Sequence, residues 1–301
     1  MSYLISDKYK EWEAICESRF QTLKQNEEKL NRYFIDIYNI SDEISPNVDD
    51  SDITVRRAEL QREIKSLISY AVGCIFGRYS LDREGLCYAG GVWDSSEYKT
   101  ILPCPDNIMT INDKDSGLTS AVIDFIEKVY GSGTLEDNLS FIAEALGNNT
   151  DPRKAIHDYL QKSFFSDHCK IYKNRPVYWQ FTSGKKGAFR AIMYVHRYND
   201  TLLSLLENNY ALPCFNALKN ELLVLKKEYT EALSNEKAKI RRSISRIQNL
   251  LFEMEGFLQK LHQMAENHIF LDLDDGVKVN YEKLKDILAA RIDHIAELAA
   301  G

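Results

Sequence analysis

The segment Val177-Tyr-Trp-Gln-Phe-Thr-Ser-Gly-Lys-Lys-Gly-Ala-Phe-Arg-Ala-Ile-Met-Tyr-Val195 decides the fold class. Val177 to Phe181 and Ala188 to Val195 are rich in β-branched and aromatic residues, which suit a pleated surface. Between them, Ser183-Gly184-Lys185-Lys186-Gly187 supplies glycines for a tight turn, so the spacing predicts a β-hairpin. The sequence on both sides has a helical period. A hairpin set in a helical chain makes the fold mixed α+β and α-rich.

Downstream, Leu218, Leu222, Leu225 and Tyr229 form one apolar stripe. Ile240, Ile244, Ile247, Leu251, Met254, Leu258 and Leu261 form another, with alternating spacings of four and three. That is a heptad seam, read as an internal antiparallel helix pair of coiled-coil type. The stripes differ in phase, which predicts a break near Ser234 and Asn235. Leu271 to Val279 reads as a short hairpin turning at Asp274-Asp275-Gly276, followed by a helix from Tyr281 to Leu298.

Upstream, Asp151-Pro152 marks the start of a helix running to Phe165. Thr134 and Asp137 form a Thr-x-x-Asp capping pattern ahead of a periodic segment through Leu146. Leu118 to Tyr130 reads as an amphipathic helix, and Glu84 to Ile111, rich in Gly, Pro and aromatics, as short strands and loops. Val55 to Phe76 reads as a helix with an apolar, buried second half, where Gly73 and Gly77 would admit another backbone closely. Tyr9 to Tyr38 reads as a long helix. The chain-order division is then 1–82 helical scaffold, 83–212 central α+β part and 213–301 long helices. The long helices at both ends are expected to pack together.

The charge balance is −7, against the basic balance of a generic nucleic-acid coat protein, so any nucleic-acid surface must be local. The six cysteines are scattered without a Cys-x-x-Cys pair, which argues against structural zinc and for free thiols in a reducing cytoplasm. Met1 to Trp12 is mixed and charged and does not read as a signal peptide, and no run is long enough for a membrane span.

His168 to Asn199 carries Lys170, Lys173, Arg175, Lys185, Lys186, Arg190 and Arg197 and no Asp or Glu, in a chain with 45 acids. Aromatics are interleaved: Tyr172, Tyr178, Trp179, Phe181, Phe189, Tyr194 and Tyr198. Lys and Arg neutralise phosphates and release counterions, and a basic turn can enter a groove. These seven cations are the candidate DNA contacts, weighed against an ordinary hairpin with a solvated basic turn. Arg56-Arg57 and Lys239-Arg241-Arg242-Arg246 read as solvated helix faces.

Catalytic motifs are missing. No Pro-Pro dipeptide, Gly-x-x-x-x-Gly-Lys loop or His-x-x-x-His pair occurs. Gly131-Ser132-Gly133 follows a helical pattern and reads as a helix stop, and Asp272, Asp274 and Asp275 read as a turn. No cofactor, metal or catalytic residue is assigned to this chain.

Four segments carry a resemblance: Leu67 to Asp82 (Leu-Ile-Ser-Tyr-Ala-Val-Gly-Cys-Ile-Phe-Gly-Arg-Tyr-Ser-Leu-Asp), Glu84 to Asp94, Arg175-Pro-Val-Tyr-Trp-Gln-Phe, and Asp272 to Tyr281. Together they resemble the C-terminal part of the PglX adenine-specific DNA methyltransferases of BREX phage-defence systems. Arg19 to Ile40 looks like that family's helical link after its methylase domain. The resemblance implies target recognition and helical scaffolding here. Methyl transfer and S-adenosylmethionine belong to the family's methylase domain, whose motifs these residues lack. The implied partners are double-stranded DNA and that methylase domain. The alternative is a protein-interaction module for other BREX subunits, with no membrane role.

Overall fold

The computed structural model describes residues 3–289, apart from 114, 149, 150 and 174. The chain divides into two compact units, residues 1–68 with 126–152 and residues 69–125 with 153–301. This differs from the chain-order division at 82 and 212, because the chain leaves the first unit and later returns to it.

In the first unit, α1 (Ile5–Tyr38) is held at its start by α4 (Leu135–Ala145). The Ile5 N–H donates to Asn138 Oδ1 at 2.7 Å, and the Asn138 amide donates to the Tyr3 carbonyl at 2.9 Å. The Arg57 guanidinium lies over the Phe20 ring at 3.8 Å and donates to Glu17 and Asp50 at 2.7 and 2.9 Å. Thr134 precedes α4 but makes no capping bond. Its hydroxyl donates to the Tyr3 and Tyr130 carbonyls, so the expected capping pattern is not formed.

The helices α2 (Leu60–Ile75) and α3 (Gly117–Tyr130) each contribute residues to both units. The expected start of α2 at Val55 moves to Leu60. Its apolar second half is buried as expected, with Ile68, Val72 and Phe76 fully covered. The two glycines there admit side chains, not backbone. A Cβ on Gly73 would collide with the Tyr79 ring, and one on Gly77 with Trp93, and Gly77 also has φ of 77°.

In the second unit, β1 (Met109–Thr110), β2 (Tyr178–Thr182) and β3 (Arg190–Tyr194) form an antiparallel sheet in the order β1-β3-β2. The register pairs Trp179 with Met193 and Phe181 with Ala191. The Ala289 N–H donates to the Gln180 carbonyl, covering the β2 edge. Both faces of the hairpin are buried. Trp179, Phe181 and Met193 join one core, while Tyr178 packs its ring against Phe76 at 5.6 Å. This is why the hairpin is aromatic at consecutive positions rather than alternately polar.

The helix begun at Pro152 (α5, Pro152–Tyr159) continues through a π-helical stretch, Leu160–Phe164, into α6 (Phe165–Ile171), beyond the expected end at Phe165. After β3 come the short α7 (Leu202–Leu206), a second π-helical stretch, and the helices α8 (Leu212–Glu231) and α9 (Ser234–Glu266). The break falls at Ala232 and Leu233, where expected. Arg246 reaches Glu221 and Arg241 reaches Tyr229, so α8 and α9 run antiparallel. The α9 seam is internal: Ile247, Met254 and Leu261 are fully buried against the hairpin core. Within the second unit the long helix pair is α8 with α9, while α1 lies in the first unit.

Leu271 to Val279 is not a hairpin. Asp272 accepts the Asp274 N–H at 3.0 Å, a 3-10 turn spans Leu273–Asp275, and α10 runs Gly276–Leu284. The spacing of Val277, Tyr281 and Leu284, all packed into the core, is helical, and it overrides the turn signal of Asp-Asp-Gly. The expected final helix from Tyr281 to Leu298 does not form over its described part: α10 ends at Leu284, a 3-10 turn covers Lys285–Ile287 and Leu288 is extended beside Phe181, while the rest of that span lies outside the described residues.

Candidate nucleic-acid interface

The hairpin turn is fixed by a carboxylate from α9. Glu253 accepts the backbone N–H groups of Lys186 (2.7 Å) and Ala188 (3.0 Å) and the Ser183 hydroxyl (2.8 Å). Gly184, with φ of 143°, lies flat against that carboxylate, where a Cβ would stand 2.7 Å from Oε2. Burial alone would raise the Glu253 pKa, but the N–H donors outweigh it and hold the carboxyl below its ordinary value. The charge is therefore spent on backbone dipoles, not on the lysine side chains. Lys185 remains exposed, and the Lys186 ammonium reaches Asn249 at 2.8 Å, one helical turn from Glu253.

The seven candidate cations fall into three places. Lys185, Lys186 and Arg190 lie at the turn end of the hairpin. Lys170, Lys173 and Arg175 are exposed at the other end, ahead of β2, with Lys170 3.8 Å from Asp167. Arg197 is apart from both. Its guanidinium donates to the Phe76, Cys104 and Pro105 carbonyls at 2.9–3.3 Å and lies 4.4 Å from the Trp93 ring centroid. Burial pulls its pKa down, and the three carbonyls occupy donors that would otherwise be open to a phosphate. The acid-free run is thus not one face.

What the turn end faces was not legible in the run itself. A groove of about 940 Å³ opens between the turn, the first π-helical stretch and the α8–α9 pair. Lys186 borders one side, and Arg241, Arg242 and Arg246 border the other. Leu218, Ile247 and Leu250 form an apolar floor. Arg190 stands at the edge, its guanidinium against Gly187 and 3.4 Å from the Gln161 carbonyl. The single acid of the lining, Glu221, is 3.6 Å from Arg246, and their side chains are 47% and 68% exposed. An exposed pair of that length is worth about 0–1 kcal/mol, so Arg246 can exchange it for a stronger anion. Four cations against one carboxylate is a concentrated positive rim on a chain of net charge −7.

No family model matches the sequence. Over 290 residues, 94% of this chain, it is 42% identical to the adenine-specific methyltransferase PglX of Lacticaseibacillus casei (strain Zhang), covering 24% of that protein. This chain is homologous to part of PglX. A second relative, the adenine-specific methyltransferase BrxX of Escherichia coli O9:H4 (strain HS), is 38% identical over 243 residues, 75% of the chain and 20% of BrxX. The chain thus spans about a quarter or less of the length of these relatives. Of the PglX-like segments quoted from the sequence, Leu67 to Asp82 and Arg175 to Phe181 bury Gly73, Gly77 and Trp179, whereas Glu84 to Asp94 is mostly exposed, with Trp93 half-buried.

Within this PglX-like chain, Arg241, Arg242 and Arg246 line the groove although the sequence reads them as a solvated helix face. They are exposed, as that reading expects. Their convergence with Lys186 is a tertiary fact. The signal available in the sequence was weak: the three arginines sit on one side of α9, a turn or so before the seam residues that bury against the hairpin. Among the described residues, no helix is long and apolar enough to cross a membrane.

Proposed function

We propose that this chain is the DNA-binding, target-recognition part of a BREX-type adenine-specific DNA methyltransferase, acting on double-stranded DNA in the cytoplasm in phage defence. The observation that carries this reading is the groove in which Lys186 faces Arg241, Arg242 and Arg246. Its rim neutralises phosphates, and the rigid turn presents Lys185 and Lys186 ahead of it. Lys173 and Arg175 at the far end of β2 would meet the backbone further along.

Methyl transfer, in this reading, belongs to the methylase domain of the whole enzyme. The described sheet is wholly antiparallel. It offers no parallel strand–helix–strand unit whose carboxyl ends would seat S-adenosylmethionine. In this reading that cofactor is held by the methylase domain, and no catalytic step is assigned to the residues of this chain.

The test is duplex binding by fluorescence anisotropy across salt concentrations. About five phosphate contacts give a log–log slope of about −4 to −5. Replacing Lys185, Lys186 and Arg190 together with Ala, or Arg241, Arg242 and Arg246 together with Ala, should weaken binding and flatten the slope by about 2–3. Unchanged affinity in both triple variants overturns the reading. The rival, an interaction module built on the α9 seam, is disfavoured because the seam from Ile247 to Leu261 packs into the core of its own unit.

A further inference from the structure

Arg78 follows α2 in the loop that begins at Gly77, away from the groove. Among the described residues no ion pair involves it. Its guanidinium donates to the Tyr194 hydroxyl at 3.0 Å and to the Tyr79 hydroxyl at 3.3 Å. The rings of Tyr79, Tyr172 and Tyr194 flank it with centroids 5.5, 5.7 and 5.9 Å from Cζ. These neutral contacts offset only part of the hydration that a half-buried cation loses.

A second observation is independent of the first. The Tyr178 hydroxyl and His168 Nδ1, on residues that are each 1% exposed, have no hydrogen-bond partner. His168 Nε2 accepts the backbone N–H groups of Val177 (3.1 Å) and Tyr178 (3.2 Å). That bonding assigns the ring proton to Nδ1, making it a donor. Its ring lies 4.7 Å from Tyr178 and 4.4 Å from Tyr172. His196 Nδ1, on a ring 5.0 Å from Tyr194, also lacks a partner. Asp167, next to His168 in the chain, lies 3.8 Å from Lys170, and Asp82, the acid nearest Arg78 in sequence, accepts the backbone N–H groups of Lys99 and Thr100 and the Thr100 hydroxyl. Lys173 and Arg175 flank Tyr172 in the chain and add positive charge outside.

A guanidinium without a carboxylate, surrounded by hydroxyl and imidazole N–H groups, is complementary to an oxyanion. Arg78, Tyr79 and Tyr172 are half-exposed, and Tyr178 and His168 are buried beside them. We propose that Arg78, with Tyr79, Tyr172, Tyr178 and His168 around it, binds a phosphate-type oxyanion. The guanidinium fork takes two oxygens and the tyrosine hydroxyls the rest. The anion is either a phosphodiester of DNA or free phosphate. The site stands independently of the groove.

The experiment measures binding of inorganic phosphate to the full chain by ³¹P line broadening and thermal shift, with chloride at matched ionic strength as reference. The wild type should show saturable phosphate binding. Arg78→Lys, which keeps the charge and loses the fork, should weaken it about tenfold. Tyr172→Phe, which keeps the ring, should weaken it several-fold, and Arg78→Gln should abolish it. A blunt duplex without terminal phosphates then competes with phosphate if the source is DNA backbone, and leaves it bound if the source is the free ion. No saturable response beyond chloride, or wild-type binding in folded Arg78→Lys and Tyr172→Phe chains, overturns the site. The Lys185, Lys186 and Arg190 triple-alanine chain should keep its phosphate response, so failure of the groove and failure of this site are read separately.

Discussion

The carboxylate of Glu253 on α9 accepts the backbone N–H of Lys186, at the tip of the β-hairpin, across 2.7 Å and 67 residues of chain. This bond sets the turn against the same helix that carries Arg241, Arg242 and Arg246. The basic tip and the basic helix are therefore one rigid construction, not two surfaces that happen to be near each other.

Glu253→Ala should cost about 1–3 kcal/mol of unfolding free energy, because a charged acceptor of two N–H groups and a hydroxyl is lost. The same bond predicts a pH dependence. The folded pKa lies below the ordinary value, so the contribution is present above the ordinary carboxyl range. It disappears as pH falls through the lowered folded value. Urea unfolding of wild type and variant between pH 7 and pH 3 should show the gap closing with acid; a constant gap would count against it.

His168 adds an acid sensitivity at higher pH. Burial first, and the nearby Arg78 charge second, push its pKa down to about 3 from 6.5. The neutral ring is the folded form, so its contribution is full above 6.5 and shrinks as pH falls from there towards 3. The imidazole proton shifts, followed by NMR, should show no titration between pH 7 and pH 5 in the folded chain. A midpoint near 6.5 would refute the burial described.

Arg197→Ala should destabilise the second unit by about 2–4 kcal/mol, since three backbone carbonyls lose a charged donor and Trp93 loses its stacking partner. The salt slope of DNA binding should stay at the wild-type value when measured on the folded fraction. A flatter slope would return Arg197 to the DNA contacts.

Ile247→Ala should cost about 2–5 kcal/mol, as a fully buried side chain of the seam. Phe252→Ser, at a residue 77% exposed on the same helix, should change stability by less than about 0.5 kcal/mol. Denaturant midpoints for the two variants decide whether the heptad seam is internal. Equal effects would show that the seam faces outward.

The sequence by itself determined the hairpin and its register-setting turn, the long helices, the break between α8 and α9, and the PglX likeness. Each rests on spacings of two, three, four or seven residues, or on a turn chemistry, that operate within one segment. Where a local signal misled, packing overruled it. Asp274-Asp275-Gly276 announces a hairpin turn, but the core pulls in Val277, Tyr281 and Leu284 at helical spacing. Only the tertiary structure decided which cations meet. It took Arg197 inward onto carbonyls and brought Arg241, Arg242 and Arg246 opposite Lys186. It also left Arg78 among tyrosines, with no ion pair among the described residues. A run of like charge in the sequence says what will repel or attract, but the direction of each side chain depends on contacts with segments far away in the chain, and no local pattern encodes those.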